Sequence, residues 1–140
     1  MKTYLLGGII ALGLMLAAIP ASAHHSFTAE FDSNNPVKFT GTVTKVEWTN
    51  PHVWFYFNVK DPKTGKVTNW GAEMGPPHGL QRRGWRRDTL KVGDVITVDG
   101  WRAKNGSDRM NAGTVTLAST GLRPGQTLDA GSSKGGNNVD

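Results

Sequence analysis

One stretch of alternating side chains, residues 52–60, constrains the fold of this chain more than any other. Its odd positions are all apolar, whereas its even positions are polar or amphipathic: Val53, Phe55, Phe57 and Val59 against His52, Trp54, Tyr56, Asn58 and Lys60. A period of two is typical of a half-buried β-strand, because successive side chains of a strand point to opposite faces. We therefore expect one face of this strand in a core. The other face, with two aromatic rings and a histidine, is expected to meet water or a ligand.

Turns containing proline and glycine divide the rest of the chain into further strand candidates. The predicted strands cover residues 37–48, 49–60, 66–74, 95–102 and 110–118, and the one helix candidate covers residues 78–90. In the first strand the apolar parity changes between Val43 and Val46. Such a change indicates a bulge or a bend, and Gly41 is its expected position.

The order of these elements predicts an all-β fold. Three strands, a short helix and two further strands are typical of a small five-stranded OB-like antiparallel barrel, with one short helix between strands 3 and 4. A β-sandwich is the alternative, and it usually needs about seven strands. We expect the OB-like barrel because the chain offers five.

The first 23 residues are typical of a secretory signal peptide. Lys2 supplies a positive start, an apolar run follows over residues 5–19, and small residues lead to a cleavage site after Ala23. A transmembrane anchor is the alternative, but the apolar run is short for a membrane span and small residues follow it. We expect a periplasmic protein that is cleaved after Ala23 and keeps no transmembrane anchor.

Four segments make up the predicted organisation of the chain. Removing 23 of the 140 residues leaves 117, which suffices for one domain and not for two. Residues 119–140 are rich in Gly, Ser, Asn and Asp, a composition that predicts a flexible tail. The segments are the signal peptide 1–23, an N-terminal arm 24–36, the OB-like β-barrel domain 37–118 and the flexible C-terminal tail 119–140.

The absence of cysteine limits the chemistry of the chain. It excludes thiolate catalysis and zinc or iron–sulfur centres held by cysteine. An exported domain of this size without disulfides must rely on its hydrophobic core, which suits a bacterial envelope protein better than a disulfide-rich secreted scaffold. The remaining soft or borderline metal ligands are histidine and methionine.

Several short motifs resemble those of a bacterial exported family classed only as a domain of unknown function. They are His24-His25-Ser26-Phe27, Gly41-Thr42-Val43, Thr49-Asn50-Pro51-His52, Asn69-Trp70 with Glu73-Met74-Gly75, and Arg82-Arg83-Gly84-Trp85. The resemblance covers nearly all of the chain after residue 23. It implies a periplasmic β-barrel and implies no activity.

The stretch from Asn69 to Met74 is also similar to the periplasmic copper chaperones of heavy-metal efflux systems. Those proteins are small OB barrels that hold Cu(I) with a histidine, methionine side chains and the face of a tryptophan. The similarity implies comparable places for His52, Trp70 and Met74. The second methionine of that pattern has no counterpart in this chain.

Histidines provide two groups of candidate metal ligands. Cleavage after Ala23 makes His24 the amino terminus, so that its amine and imidazole can chelate one metal together with His25. Antiparallel pairing of the second and third strands places His52, Glu73, Met74 and His78 near one rim of the barrel. Imidazole suits copper, zinc and nickel, and Cu(II) heads the affinity order at nitrogen sites. Copper is thus the candidate cofactor, and its candidate ligands are His24, His25, His52, Trp70, Met74 and His78.

Each of these groups has a simpler interpretation. Two histidines in an N-terminal arm are also expected if they are merely solvated. In the simpler interpretation of the rim, its two histidines hydrogen-bond to the backbone and bind no metal.

Aromatic and basic residues form a second candidate surface, for a partner. Trp54 and Tyr56 lie on the outward parity of the second strand, a surface on which OB barrels bind oligonucleotides or oligosaccharides. The export signal disfavours nucleic acid. The alternative is that the N-terminal arm covers these rings through Phe27 or Phe31.

A cluster of arginines around a tryptophan could bind an anionic glycan, a lipid headgroup or an acidic protein. The alternative is a solvated face. The cluster consists of Arg82, Arg83, Trp85, Arg86 and Arg87.

Few residues suggest catalysis. Ser26 and His25 lie in the predicted arm, which cannot hold a nucleophile and a base in fixed geometry, and the motif G-x-S-x-G is absent. We therefore predict that the chain is not an enzyme. The expected function is a periplasmic binding protein for a transition metal, and the alternative is a cell-envelope interaction module for a glycan, lipid or protein partner.

Overall fold

A computed structural model describes residues 27–118 and 125–135 of the chain. The predicted signal peptide, its cleavage site and both His24 and His25 lie outside the described residues. The described elements begin with a short helix α1 (Phe27–Glu30) and end with a 3-10 turn (Ser133–Gly135). Between them lie β1 (Phe31–Glu47), β2 (Trp54–Lys60), β3 (Val67–Glu73), α2 (Pro77–Arg82), β4 (Val95–Ala103), β5 (Arg109–Leu117) and β6 (Thr127–Asp129).

The strands form one sheet that closes on itself. Neighbouring strands follow the order β3-β2-β1-β4-β5-β6, and β3 also pairs with β5, so that β1 to β5 form a closed ring. The β3–β5 pairing is parallel, and the other pairings are antiparallel. The prediction of a mostly antiparallel β fold with a helix between strands 3 and 4 is confirmed. The prediction of five strands is wrong, because there are six among the described residues.

The alternation in β2 divides its side chains between a core and an outer face. Phe55 and Phe57 are fully buried and Val53 nearly so, together with inward-facing residues of the other strands such as Val43 and Ile96. The residues between them, including Trp54 and Tyr56, are only half-buried. Packing of the odd positions stabilises the ring, since each fully buried side chain of this size contributes about 1.5–3 kcal/mol.

The parity change in β1 comes from a bulge, as expected, but at another position. The register with β2 shifts between Val43 and Lys45, not at Gly41. Gly41 has a different role, because a Cβ at this position would collide with the backbone carbonyl oxygen of Asn58. The glycine therefore permits a close approach of β1 and β2, and the bend follows three residues later.

The N-terminal segment is more ordered than the predicted arm 24–36. Its described part forms α1 and the start of β1, which begins at Phe31 and not at residue 37. Phe27 and Phe31 are buried in a second apolar cluster with Ala103, against the ring of Trp101. The centroids of Phe27 and Trp101 are 5.5 Å apart in an edge-to-face arrangement, a favourable geometry for two aromatic rings. The predicted arm is mostly polar in sequence, so its composition did not indicate that two phenylalanines pack against the domain.

Residues 125–135, which belong to the predicted flexible tail 119–140, pack against the ring in the structure. Leu128 and Ala130 are buried, and β6 pairs with residues 114–116 of β5. The indole N–H of Trp85 donates to the carbonyl oxygen of Asp129 at 2.7 Å. A strand of three residues, between Gly125 and Gly131, has too little alternation to be recognised in the sequence.

The helices of the described residues are all short. None of them combines the length and the apolarity that a membrane-spanning helix requires.

The packing of β6 predicts the effect of shortening Leu128. Leu128→Ala leaves a cavity beneath β6 and should lower the free energy of unfolding by about 2–5 kcal/mol. Urea denaturation of the purified protein measures this change. Gln126→Ala, an exposed change in the same segment, should stay within about 0.5 kcal/mol of wild type. Equal midpoints for Leu128→Ala and wild type would contradict the packing of β6 in solution.

The close approach at Gly41 predicts a cost for any side chain there. Gly41→Ala should destabilise the fold by about 1–3 kcal/mol, because the new methyl group forces β1 and β2 apart. Thermal unfolding followed by circular dichroism measures the shift. The neighbouring exposed residue provides the control, and Thr42→Ala should change the midpoint little. A Gly41→Ala protein as stable as the control would show that the two strands separate at no cost.

Candidate functional site

A cleft of about 190 Å³ lies at the rim where β2 begins and β3 ends. We call it the rim cleft. Five parts of the chain form its walls: the residues before β2, the end of β3, the short helix α2, the strand β5 and the C-terminal segment. The lining residues are Pro51, His52, Met74, Gly75, Pro76, His78, Gly79, Arg82, Arg83, Asn111, Gly131 and Ser133.

Backbone hydrogen bonds hold His52 at this rim. The ladder between β2 and β3 continues past the end of both strands, with Val53 N–H donating to the Gly75 carbonyl at 3.1 Å and Met74 N–H donating to the Val53 carbonyl at 2.8 Å. His52 thus lies just before the last ladder position, after a cis Asn50–Pro51 peptide bond.

The C-terminal segment closes the rim cleft from the other side. Gly75 N–H donates to the Ala130 carbonyl at 2.8 Å. A Cβ at Gly75 would lie 2.9 Å from the carbonyl oxygen of Gly131, so the two backbones touch without room for a side chain. The wall formed by Gly131 and Ser133 therefore depends on glycine at position 75.

A hydrogen-bonded pair between His52 and Glu73 is the main polar feature beside the cleft. His52 Nδ1 bonds to Glu73 Oε1, and the side chain of Glu73 is only 10% exposed whereas that of His52 is 37% exposed. An ionised carboxylate can only accept, so the shared hydrogen belongs to Nδ1. This orientation leaves Nε2 as the nitrogen of His52 that can meet a ligand.

The pair also changes the acidity of the imidazole. The hydrogen bond to Glu73 raises the pKa of His52 above its usual value, with a smaller contribution from the more distant charge of Glu30, while burial acts in the opposite direction. Positively charged imidazole is therefore favoured by the carboxylate against which it packs.

Three of the predicted metal ligands line the rim cleft. They are His52, Met74 and His78. Met74 is buried and also belongs to the core, whereas His78 is exposed in the first turn of α2. Within residues 27–118 and 125–135 no three His, Asp or Glu side chains group closely enough to hold a metal.

Trp70 lies elsewhere. Its ring is buried against Phe39, with centroids 4.3 Å apart, and the guanidinium of Arg102 lies 5.2 Å from its centroid. It is not among the residues that line the cleft. The predicted ligands His24 and His25 fall outside the described residues.

The arginine cluster is divided between two places. Arg82 and Arg83 line the rim cleft, and Arg83 donates to the Gly79 carbonyl at 3.1 Å and lies 3.5 Å from Asp129. Arg86 and Arg87 are exposed in the turns after α2.

Trp85 belongs to the core and not to a binding surface. Only 1% of it is exposed, which corrects its predicted place among the partner-binding residues. Four neighbouring arginines suggested a surface, but the indole is buried below them, where its N–H is satisfied by the carbonyl of Asp129.

Trp54 and Tyr56 remain half-exposed on the outer face of β2. Phe27 does not cover them, because it packs on Trp101, and Phe31 lies beside Trp54 along a shared hollow. The predicted aromatic face therefore exists as a surface in the described structure.

Asn111 and Arg109 are among the residues of these surfaces that sequence reasoning missed. Asn111 of β5 is buried at the rim cleft and accepts a hydrogen bond from Ser132 Oγ at 2.6 Å. Arg109 of β5 lies over the ring of Trp54. Both reach their neighbours through the parallel β3–β5 pairing, and local sequence carries no signal for such a pairing.

The His52–Glu73 pair predicts a titration. In Glu73→Gln the pKa of His52 should fall toward its usual value of about 6.5, because the charged acceptor is lost. Glu30→Gln should lower it by less, since that charge acts only at a distance. Two-dimensional NMR of the metal-free protein follows the imidazole through pH 5 to 9, and Glu47→Gln is the control. An unchanged His52 pKa in Glu73→Gln would contradict the pair.

The same raised pKa sets the direction of a stability change. Because the folded-state pKa lies above the unfolded one, the pair stabilises the fold fully below about pH 6.5, and this contribution is lost as the pH rises through the folded-state pKa. The loss should be smaller in Glu73→Gln.

Comparison with known proteins gives a family without an assigned activity. No curated protein matches the chain. A family model described as a family of unknown function (DUF6152) matches residues 12–113. Since this match covers more than half of the sequence, the chain belongs to that family.

Proposed function

We propose that the chain binds a copper ion in the rim cleft, with Nε2 of His52, the imidazole of His78 and the sulfur of Met74 as ligands. The observation that carries the proposal is the bond between His52 and Glu73. Histidines that ligate metals usually donate their other ring N–H to a carboxylate or a carbonyl, which fixes the tautomer and raises the basicity of the ligating nitrogen. Here that second shell is in place, and the ligating nitrogen is Nε2.

The kinds of ligand favour Cu(I). Imidazole and thioether donors are soft or borderline, and thioether sulfur selects Cu(I) over harder cations. The two histidines and the methionine form a neutral set when the imidazoles are unprotonated. A monovalent ion is also tolerated better than a divalent one beside Arg82 and Arg83.

The environment of the cleft supports binding and not turnover. The buried carboxylate of Glu73 is engaged by His52 and is not presented to a substrate. We propose a periplasmic binding protein, because the first 23 residues have the pattern of a signal peptide. His24 and His25 could add a separate amino-terminal copper site once Ala23 has been removed.

We also propose that the closed ring is of the OB type. The ring order β1-β2-β3-β5-β4 and the position of α2 between β3 and β4 support this assignment. The sixth strand is then an addition to the five-stranded ring.

Copper titration of the chain starting at His24 tests the proposal. We expect one Cu(I) per chain in the rim cleft with a dissociation constant of about 1 μM or tighter, measured against a chromogenic Cu(I) chelator. His52→Ala and Met74→Leu should each remove this site. Glu73→Gln should weaken it by about 10- to 100-fold, as second-shell changes do, whereas Glu47→Gln should leave it unchanged.

Three outcomes would overturn the cleft proposal. The first is the absence of Cu(I) binding at this affinity. The second is binding lost in a His24→Ala, His25→Ala double variant and kept in His52→Ala, which would assign copper to the amino terminus alone. The third is thermal stabilisation by phosphate without any by Cu(I), which would make the cleft an anion site built on Arg82 and Arg83.

A further inference from the structure

A groove runs across the outer face of β2, apart from the rim cleft. It consists of two hollows of about 280 and 370 Å³ that share Trp54 and Arg109. Glu47 and Tyr56 complete the first hollow. The second is completed by Ala29, Glu30, Phe31, Ala103, Lys104, Asn105 and Ser107. We call the whole the aromatic groove. Its hollows are close to the lower end of the size range of small-molecule sites.

Gly71 lies directly beneath the two rings of the aromatic groove. It pairs with Tyr56 across β2 and β3, and a Cβ there would lie 3.2 Å from the ring of Tyr56 and 3.7 Å from the ring of Trp54. The missing side chain lets the two rings settle onto β3. A side chain at position 71 would crowd the ring of Tyr56 first, whereas a methyl group would only touch the ring of Trp54.

Cations lie on the two rings. The guanidinium of Arg109 is 5.5 Å from the centroid of Trp54, and the ammonium group of Lys45 is 5.5 Å from the centroid of Tyr56. Both cations are on exposed residues, so neither is held by burial. Such contacts are worth only about 0.5–1 kcal/mol at exposed sites, so a ligand can replace the contact of Arg109 with Trp54. Lys45 is held in addition by an ion pair with Glu47, at 2.5 Å.

We propose that the aromatic groove binds an acidic oligosaccharide, a chain of sugar rings that carry carboxylates. Aromatic rings offer flat apolar surfaces against which the apolar faces of sugar rings can stack. Arg109 can hold a carboxylate in a two-pronged hydrogen bond, and Lys104 adds positive charge beside it. The acceptor Glu47 and the polar side chains of Asn105 and Ser107 can meet sugar hydroxyls.

The chemistry of the lining distinguishes this ligand from others. A lipid chain would need a continuous apolar lining, whereas charged and amide side chains interrupt this one. A simple phosphate would need only the cations and would make no use of the rings. Stacking and charge together match a sugar acid.

Binding of oligogalacturonate hexamers tests the inference. We expect quenching or a shift of tryptophan fluorescence on binding, and weakening as salt rises, because exposed charge contacts are screened. Trp54→Ala and Arg109→Ala should each weaken binding by about tenfold or more, on the scale of one aromatic stacking contact or one charged hydrogen bond. Arg87→Ala, an exposed arginine outside the groove, should change nothing.

A second variant separates the groove from a general loss of folding. Gly71→Ala should weaken binding while circular dichroism still shows the folded sheet, and Tyr56→Phe, which keeps the ring, should bind at near wild-type strength. His52→Ala should bind the hexamer normally, so that failure of the copper proposal does not affect this test.

The inference is overturned by any of three results. The first is no binding of the hexamer at millimolar concentration. The second is equal binding of a neutral galactose oligomer of the same length, which would remove the role of charge. The third is tighter binding of single-stranded DNA or of anionic lipid vesicles than of the hexamer, which would assign the groove to another class of partner.

Discussion

Burial of the odd face of β2 is the constraint on which both candidate sites depend. The side chains of Val53, Phe55 and Phe57 are buried inside the ring. Rotation of the strand about its own axis would expose all three. A slip of one residue would reverse every side chain, because the side-chain period is two. The orientation of His52 toward the rim and of Trp54 toward the outer face follows from this packing. The packing of the core therefore sets the position of both candidate sites.

Both ends of the described chain pack against the closed ring. The C-terminal segment meets the end of β3 through the hydrogen bond from Gly75 to Ala130, and it also receives the indole N–H of Trp85. At the other end, Phe27 and Phe31 pack against Trp101. Both additions lie outside the five strands of the ring, yet one supplies a wall of the rim cleft and the other a side of the aromatic groove.

Local patterns predicted the parts of the structure that depend on neighbours in sequence. Three features could be recognised in the sequence because each depends on residues close together in the chain. They are the alternation over residues 53–59, the prolines that end β3 before α2, and the parity change in β1. The role of Gly41 was predicted wrongly, because the residue that requires a glycine there is Asn58 on another strand. Trp85 was placed on a surface because its arginine neighbours in sequence are exposed, although the indole itself is buried against Asp129. The proximity of His52 and Glu73 at the rim could be predicted from the antiparallel pairing of β2 with β3. Arg109 and Asn111 lie beside β3 through a parallel pairing, and no hairpin in the sequence indicates that pairing.

On its side away from β4, β5 is divided between β3 and β6, which leaves the start of β3 as an edge among the described residues. β5 pairs with Gly71–Glu73 of β3 through its first residues and with β6 through residues 114–116. The start of β3 pairs on one side with β2, and Val67 there is 54% exposed. An open edge is a template for strand addition by another molecule, and charged residues beside it oppose such addition. Lys66, directly before the strand, and Lys60, paired with Val67, place like charges at this edge. Two copies of the chain that approach each other edge to edge at the start of β3 would bring positive charges together, which opposes strand addition.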